Sequence, residues 1–281
     1  MTTAKRTVRL AALGDIHCGK HSQGTLQPLF AQMQERADIV ALCGDLTDYG
    51  LPEEAQILVK ELSVLKVPVV AVLGNHDFES DKSEEVARIL CDAGVNMLDG
   101  SSFEWQGVGF AGVKGFAGGF GPRTLGLWGE RTTKIFVREA LDEALKLETA
   151  LARLRTSQRI ALLHYSPIKE TVEGEPPEIF PFLGTSRLEE PLTLHPVTAV
   201  FHGHAHKGRP QGKTAHGTPV YNVSLPLLRA TFPNQPPFHL MEITVDAADD
   251  SAEQTVPLDA SAAAANGDRK TRRVGDTRPT A

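Results

Sequence analysis

Cysteine is scarce: the 281 residues hold three, Cys18, Cys43 and Cys91. An odd number with no Cys-x-x-Cys pair excludes a disulfide framework and a thiolate zinc knuckle, so reduced thiols are expected. Long apolar runs are missing as well. No stretch reaches the roughly 18 residues of a membrane span, and TVRLAAL meets Asp15 too early to serve as the apolar region of a signal peptide. These two features give the expectation of a soluble, cytoplasmic protein without a membrane partner. There is no basic excess either: 29 Lys and Arg against 35 Asp and Glu leave a net charge of -6. A broad surface for gripping duplex DNA is therefore unexpected, while nucleic acid stays open as a substrate held locally.

With 41% hydrophobic residues, the chain can bury a full core. Its first hundred residues alternate short apolar runs with helical patterns. TVRLAALGD, DIVALCGD and VPVVAVLGN are predicted strands; the last is apolar on both faces, as a strand covered on both sides requires. Between them, Leu26, Leu29, Phe30 and Met33 form one helical stripe, and Ala55, Leu58, Leu62 and Leu65 form another behind Pro52. DKSEEVARILCDAG reads as a third helix closed by Gly94. From residue 107 a glycine-rich segment has no helical period, and a long helix follows with Val137, Leu141, Ala144, Leu147, Leu151 and Leu154 on one face. RIALLH, TAVFHGHAH, TPVYNVSL and FHLMEITV are further strands, with an irregular segment, SPIKETVEGEPPEIFPFLG, after the first. Residues 1–246 thus form one α/β domain, and the polar, alanine-rich 247–281 is expected to be a disordered tail.

Five predicted strands end in metal-binding side chains: GDIH at 14–17, GDLTD at 44–48, GNHD at 74–77, LLHYSP at 162–167 and GHAH at 203–206. Asp15, Asp45 and Asn75 recur at thirty-residue intervals, one βαβ unit each, so parallel topology brings them to one sheet edge. If the first strand continues far enough, Asp15 and His17 share a face. Strand alternation likewise directs His202 with His204 and His206. Carboxylate, amide and imidazole donors without thiolate suit manganese, iron, zinc or cobalt better than calcium.

The order and residue types of these motifs resemble the calcineurin-like metallophosphoesterases, over about residues 7 to 245. The resemblance implies a four-layer αββα sandwich of two mixed sheets. It implies one ion held by Asp15, His17, Asp45 and His206 and a second by Asp45, Asn75, His164 and His204, with Asp45 as the bridge. A hydroxide between two such ions would attack phosphorus in line. His76 then serves the substrate, binding a phosphoryl oxygen or protonating the leaving group, and Asp77 is expected to accept from its other ring nitrogen and fix the tautomer.

The expected substrate is a phosphoester small molecule or nucleotide, preferably a phosphodiester as in the cyclic-nucleotide phosphodiesterase group. A phosphomonoesterase, a nuclease and a non-catalytic scaffold are the alternatives. Family members are often dimers, so a homodimer is allowed. Asp48 suits either a bond to a ligand histidine or a helix cap, Cys18 is read as packing, and Arg123 and Arg131 either reach a phosphate or remain solvated.

Overall fold

A computed structural model describes residues 5–246 and 254–256. In chain order the elements are β1 (Lys5–Leu13), α1 (Gln27–Arg36), β2 (Ile39–Cys43), α2 (Pro52–Leu62), β3 (Val69–Val72), α3 (Ser83–Asp92), β4 (Val95–Met97), β5 (Ser101–Trp105), β6 (Val108–Gly112) and α4 (Arg131–Arg153). They continue with β7 (Gln158–Leu162), α5 (Phe180–Leu183), α6 (Glu189–Leu194), β8 (Ala199–His202), β9 (Gln211–Lys213), β10 (Pro219–Asn222), α7 (Leu225–Thr231), β11 (His239–Asp246) and β12 (Gln254–Val256).

The strands form two mixed sheets. One runs β11-β1-β2-β3-β4, with β1 to β4 parallel and β11 antiparallel to β1. The other runs β12-β5-β6-β7-β8-β10-β9, parallel from β6 through β10 and antiparallel outside that block. Side-chain alternation builds the sandwich. Phe110, Ile160, Leu162 and Phe201 join the cluster shared with Leu10, Ile39 and Val70 of the first sheet. Their neighbours Ala111, Ala161 and Val200 point the other way, onto Leu147, Leu151 and Leu192 of α4 and α6. On the far side of the first sheet, Phe30, Met33, Leu58, Val86 and Leu90 of α1 to α3 close the shared core. The expected four layers are therefore present.

Predicted strands and helices of the first ninety residues match the elements to within a few positions. Strands β4, β5 and β9 and helices α5, α6 and α7 are not among the elements predicted from the sequence. The strand β12 pairs with β5 through Gln254, Thr255 and Val256; the remainder of the expected 247–281 tail lies outside the described residues. Among those described, no helix is long and apolar enough to cross a membrane.

Candidate metal centre

The site grows from the C-terminal ends of β1, β2 and β3 and from the loops after β7 and β8. These strands are neighbours in their sheets, so residues far apart in sequence meet at one edge. Strand β1 ends at Leu13, so Asp15 and His17 do not share a strand face as expected. Each instead lies in the left-handed region, Asp15 at φ 56° and His17 at φ 46°, with Asp45 at φ 47° and His204 at φ 71°. Such backbone is uncommon for non-glycine residues and persists where surrounding contacts impose it. Here the imposing contacts are visible: Asp15 N donates to Gly44 O at 3.0 Å and His17 N to Asp45 O at 2.9 Å, locking the two loops side by side.

Three donor groups result, each with ligand atoms within 4.8 Å of one another: Asp15, His17 and His206; His17, Asp45 and His76; and Asp45, His164 and His204. Asp45 links the second and third groups. Its Oδ2 lies 3.8 Å from His17 Nε2 and its Oδ1 3.3 Å from His164 Nε2. The His17 Nε2 atom is buried and has no hydrogen-bond partner among the described residues. His164 donates from Nδ1 to Cys43 O at 3.0 Å, and the tautomer with its proton there turns the Nε2 lone pair toward Asn75 Oδ1 at 2.8 Å. Lone pairs from a ring nitrogen, an amide oxygen and a carboxylate converge there, and a cation between them is what such a donor set fits. His204 shows the same logic, its Nε2 donating to Phe182 O at 3.1 Å and leaving Nδ1 as the available ligand atom.

Glycines set the separations. A side chain at Gly74 would collide with the Asp45 carboxylate, and one at Gly203 with the Asp15 carboxylate. Gly74 is not in the left-handed region, so its role is close approach between loops.

The charges are mutually adjusted. Burial alone would raise the Asp15 carboxyl, but the His206 bond at 2.9 Å and the neighbouring histidines hold it at about 2. Burial and His164 push His204 down to about 3. His76 is partly buried, which disfavours its cation, yet the Asp48 carbonyl and the Asp45 and Glu79 carboxylates raise it overall. Its Nδ1 donates to Asp48 O at 2.7 Å, which leaves Nε2 for a substrate.

The expected contact from Asp77 to the His76 ring is not formed. The fully buried Asp77 carboxylate accepts instead from Leu46 N, Thr47 N, Thr47 Oγ1 and Gly74 N, at 2.6 to 3.2 Å. Four donors from two loops satisfy it, and the Asp48 carbonyl takes over the tautomer role. Asp48 is not the helix cap, since Glu54 accepts from Tyr49 N and Leu51 N at the start of α2; its Oδ1 lies 3.6 Å from His17 Nδ1. His202 departs from the group because β8 ends there. Its ring is buried between Thr171 Oγ1 and Gly203 O, both at 2.8 Å, and burial brings it down to about 4. Cys18 is buried, its thiol pushed up to about 12 by burial, and Cys43 is core.

Two supporting residues were not visible in the sequence. Buried Asn222 donates to Ala205 O at 2.7 Å, pinning the peptide between His204 and His206. A lone asparagine in a strand offers no signal of that. Tyr165, inside the LLHYSP motif, packs its ring 4.5 Å from that of His204.

Comparison with known proteins agrees with this geometry. A family model described as calcineurin-like phosphoesterase matches residues 8–208. No curated protein matches the chain. Among solved structures, the phosphopantetheinyl hydrolase PptH from Mycobacterium tuberculosis superposes with a TM-score of 0.61 at 14% identity, covering 83% of this chain and 95% of that one. The protein TT1561 of Thermus thermophilus gives a TM-score of 0.50 at 16% identity, covering 84% and 99%. At such identities the likeness is one of fold.

Proposed function

Because the chain belongs to the calcineurin-like phosphoesterase family, we propose that it hydrolyses a phosphoester, with a phosphodiester preferred, at a dinuclear metal centre. The observation that carries this is the position of Asp45, whose two carboxylate oxygens face opposite donor groups, one toward His17 and the other toward His164. Asp15, His17, Asp45 and His206 would hold one ion and Asp45, Asn75, His164 and His204 the other. When bound, a pair of manganese, iron, zinc or cobalt ions polarises a phosphoryl oxygen and lowers the pKa of water toward neutrality.

The chain's own residues supply the rest. His76 keeps its Nδ1 proton on Asp48 O, which leaves Nε2 facing the substrate; a proton held there can pass to the leaving oxygen. Asp77 holds the loops after β2 and β3 at the spacing this requires. The main charged groups acting on Asp15, His17, His76, His204 and His206 are carboxylates and histidines. No arginine or lysine is among them, and those are the side chains that would pair with the second charge of a monoester dianion, which supports the diester preference.

The test is a comparison of bis-aryl and mono-aryl phosphate esters, then cyclic nucleotides and single-stranded DNA, with each metal supplied separately. A higher kcat/KM for the bis-aryl ester supports the reading; faster monoester hydrolysis would replace it with a phosphomonoesterase.

A further inference from the structure

The chain carries net negative charge, yet residues 121–138 hold four basic side chains and one acidic one, Glu130. Arg131, Lys134, Ile135 and Arg138 lie at i, i+3, i+4 and i+7 on the first two turns of α4, and all four are exposed. The opposite face of the helix is buried through Val137 and Ala140. Just before the helix, Leu127 and Trp128 are 49% and 63% exposed, and Ile135 is 57% exposed. None of Arg123, Arg131, Lys134 or Arg138 forms a side-chain ion pair among the described residues. Exposed large apolar side chains and cations without an ion pair among the described residues therefore alternate within one twelve-residue stretch, 127–138. Isolated exposed apolar residues are ordinary, but three together amid cations are not.

We propose that Leu127, Trp128 and Ile135, with Arg131, Lys134 and Arg138, dock the chain on an anionic lipid bilayer surface. Trp and aliphatic side chains at the depth of the headgroups, surrounded by Arg and Lys, are the composition of a peripheral membrane contact. Single-stranded nucleic acid is the competing anionic partner. It is the weaker fit because bases stack on rings, and two of the three apolar side chains are aliphatic. Docking of this kind needs no spanning helix, so it is compatible with the absence of one among the described residues. The segment that precedes this surface is linked toward the metal centre by hydrogen bonds: Leu125 N donates to Gly118 O and Gly118 N to Pro181 O, and the next residue, Phe182, holds His204 through its carbonyl.

The experiment is co-sedimentation of the full chain with phosphatidylcholine vesicles, with and without about one third phosphatidylglycerol, at low salt and at about 0.5 M salt. Binding to the anionic vesicles alone, weakened by salt, is expected. Leu127→Ser with Trp128→Ser, and separately Arg131→Glu with Lys134→Glu, should each reduce it by about tenfold or more. These side chains are exposed, and unchanged circular dichroism would verify the fold. In a Trp105→Phe background, Trp128 fluorescence should shift to the blue on adding anionic vesicles, which keeps the test available if a variant fails to fold. No sedimentation with anionic vesicles, equal binding to neutral ones, binding to oligo-dT without binding to vesicles, or self-association abolished by the same substitutions would each overturn the proposal. None of these readouts depends on phosphoesterase activity.

Discussion

The backbone N–H of His76 donates to Oδ1 of Asp45 at 2.9 Å, so the residue proposed to handle the leaving group hangs directly from the carboxylate proposed to bridge the ions. The same oxygen lies 3.3 Å from His164 Nε2. The proposed metal binding and proton delivery would thus be joined through one carboxylate, yet they would use different atoms of the neighbouring loop. Asn75 offers its side-chain oxygen, while His76 is held through its backbone and its Nδ1, which leaves Nε2 available.

His76→Ala should separate the two roles. The backbone N–H at that position survives the substitution and can still reach Asp45, so metal content should remain near the wild-type value while kcat falls by about 100-fold or more. Metal analysis by plasma mass spectrometry beside steady-state kinetics with a poor leaving group checks this, and loss of metal in step with activity would place His76 among the ligands.

Asp77 acts on the fold rather than on the proton. Replacing it with alanine strands Leu46 N, Thr47 N and Gly74 N in a buried place. Urea denaturation should show a loss of about 3 kcal/mol or more. Asp77→Asn keeps part of the acceptor capacity and should lose less. In that variant the pH profile of kcat should keep its wild-type shape, because the His76 tautomer is set by Asp48 O.

His239 gives a pH dependence remote from the centre. Burial lowers its pKa below the ordinary 6.5, and its ring packs on Tyr221 at 4.1 Å. The unfolded chain therefore takes up the proton first as pH falls below 6.5, and stability declines through the window down to the folded pKa. His239→Phe should flatten the slope of unfolding free energy against pH below 6.5, measured by denaturant titration at several pH values, while leaving the slope above pH 7 unchanged.

Much of this was legible in the sequence because it follows from topology. Parallel strands ending in Asp15, Asp45 and Asn75 must deliver all three to one edge, and the apolar VVAV of β3 is buried throughout. What escaped depends on local backbone and three-dimensional contact. The shared face of Asp15 and His17 was inferred from a strand that stops at Leu13, whereas left-handed backbone aims them. His202 fails to follow His204 for the same reason, since alternation ends with β8. Asp77 sits beside His76 in sequence, but the 3-10 turn His76–Phe78 points their side chains to different partners. Strands of three residues such as Val95–Met97 and Gln211–Lys213 carry too little pattern to register.

If one carboxylate, Asp45, serves two ions, metal stoichiometry in Asp45→Asn must reveal it. Purified wild-type protein loaded with manganese and desalted should hold two ions per chain by plasma mass spectrometry. Asp45→Asn should retain fewer than one and lose turnover with them, since both donor groups lose charge at once. Two retained ions, or loss of a single ion with the other held at full occupancy, would contradict a bridging role for Asp45.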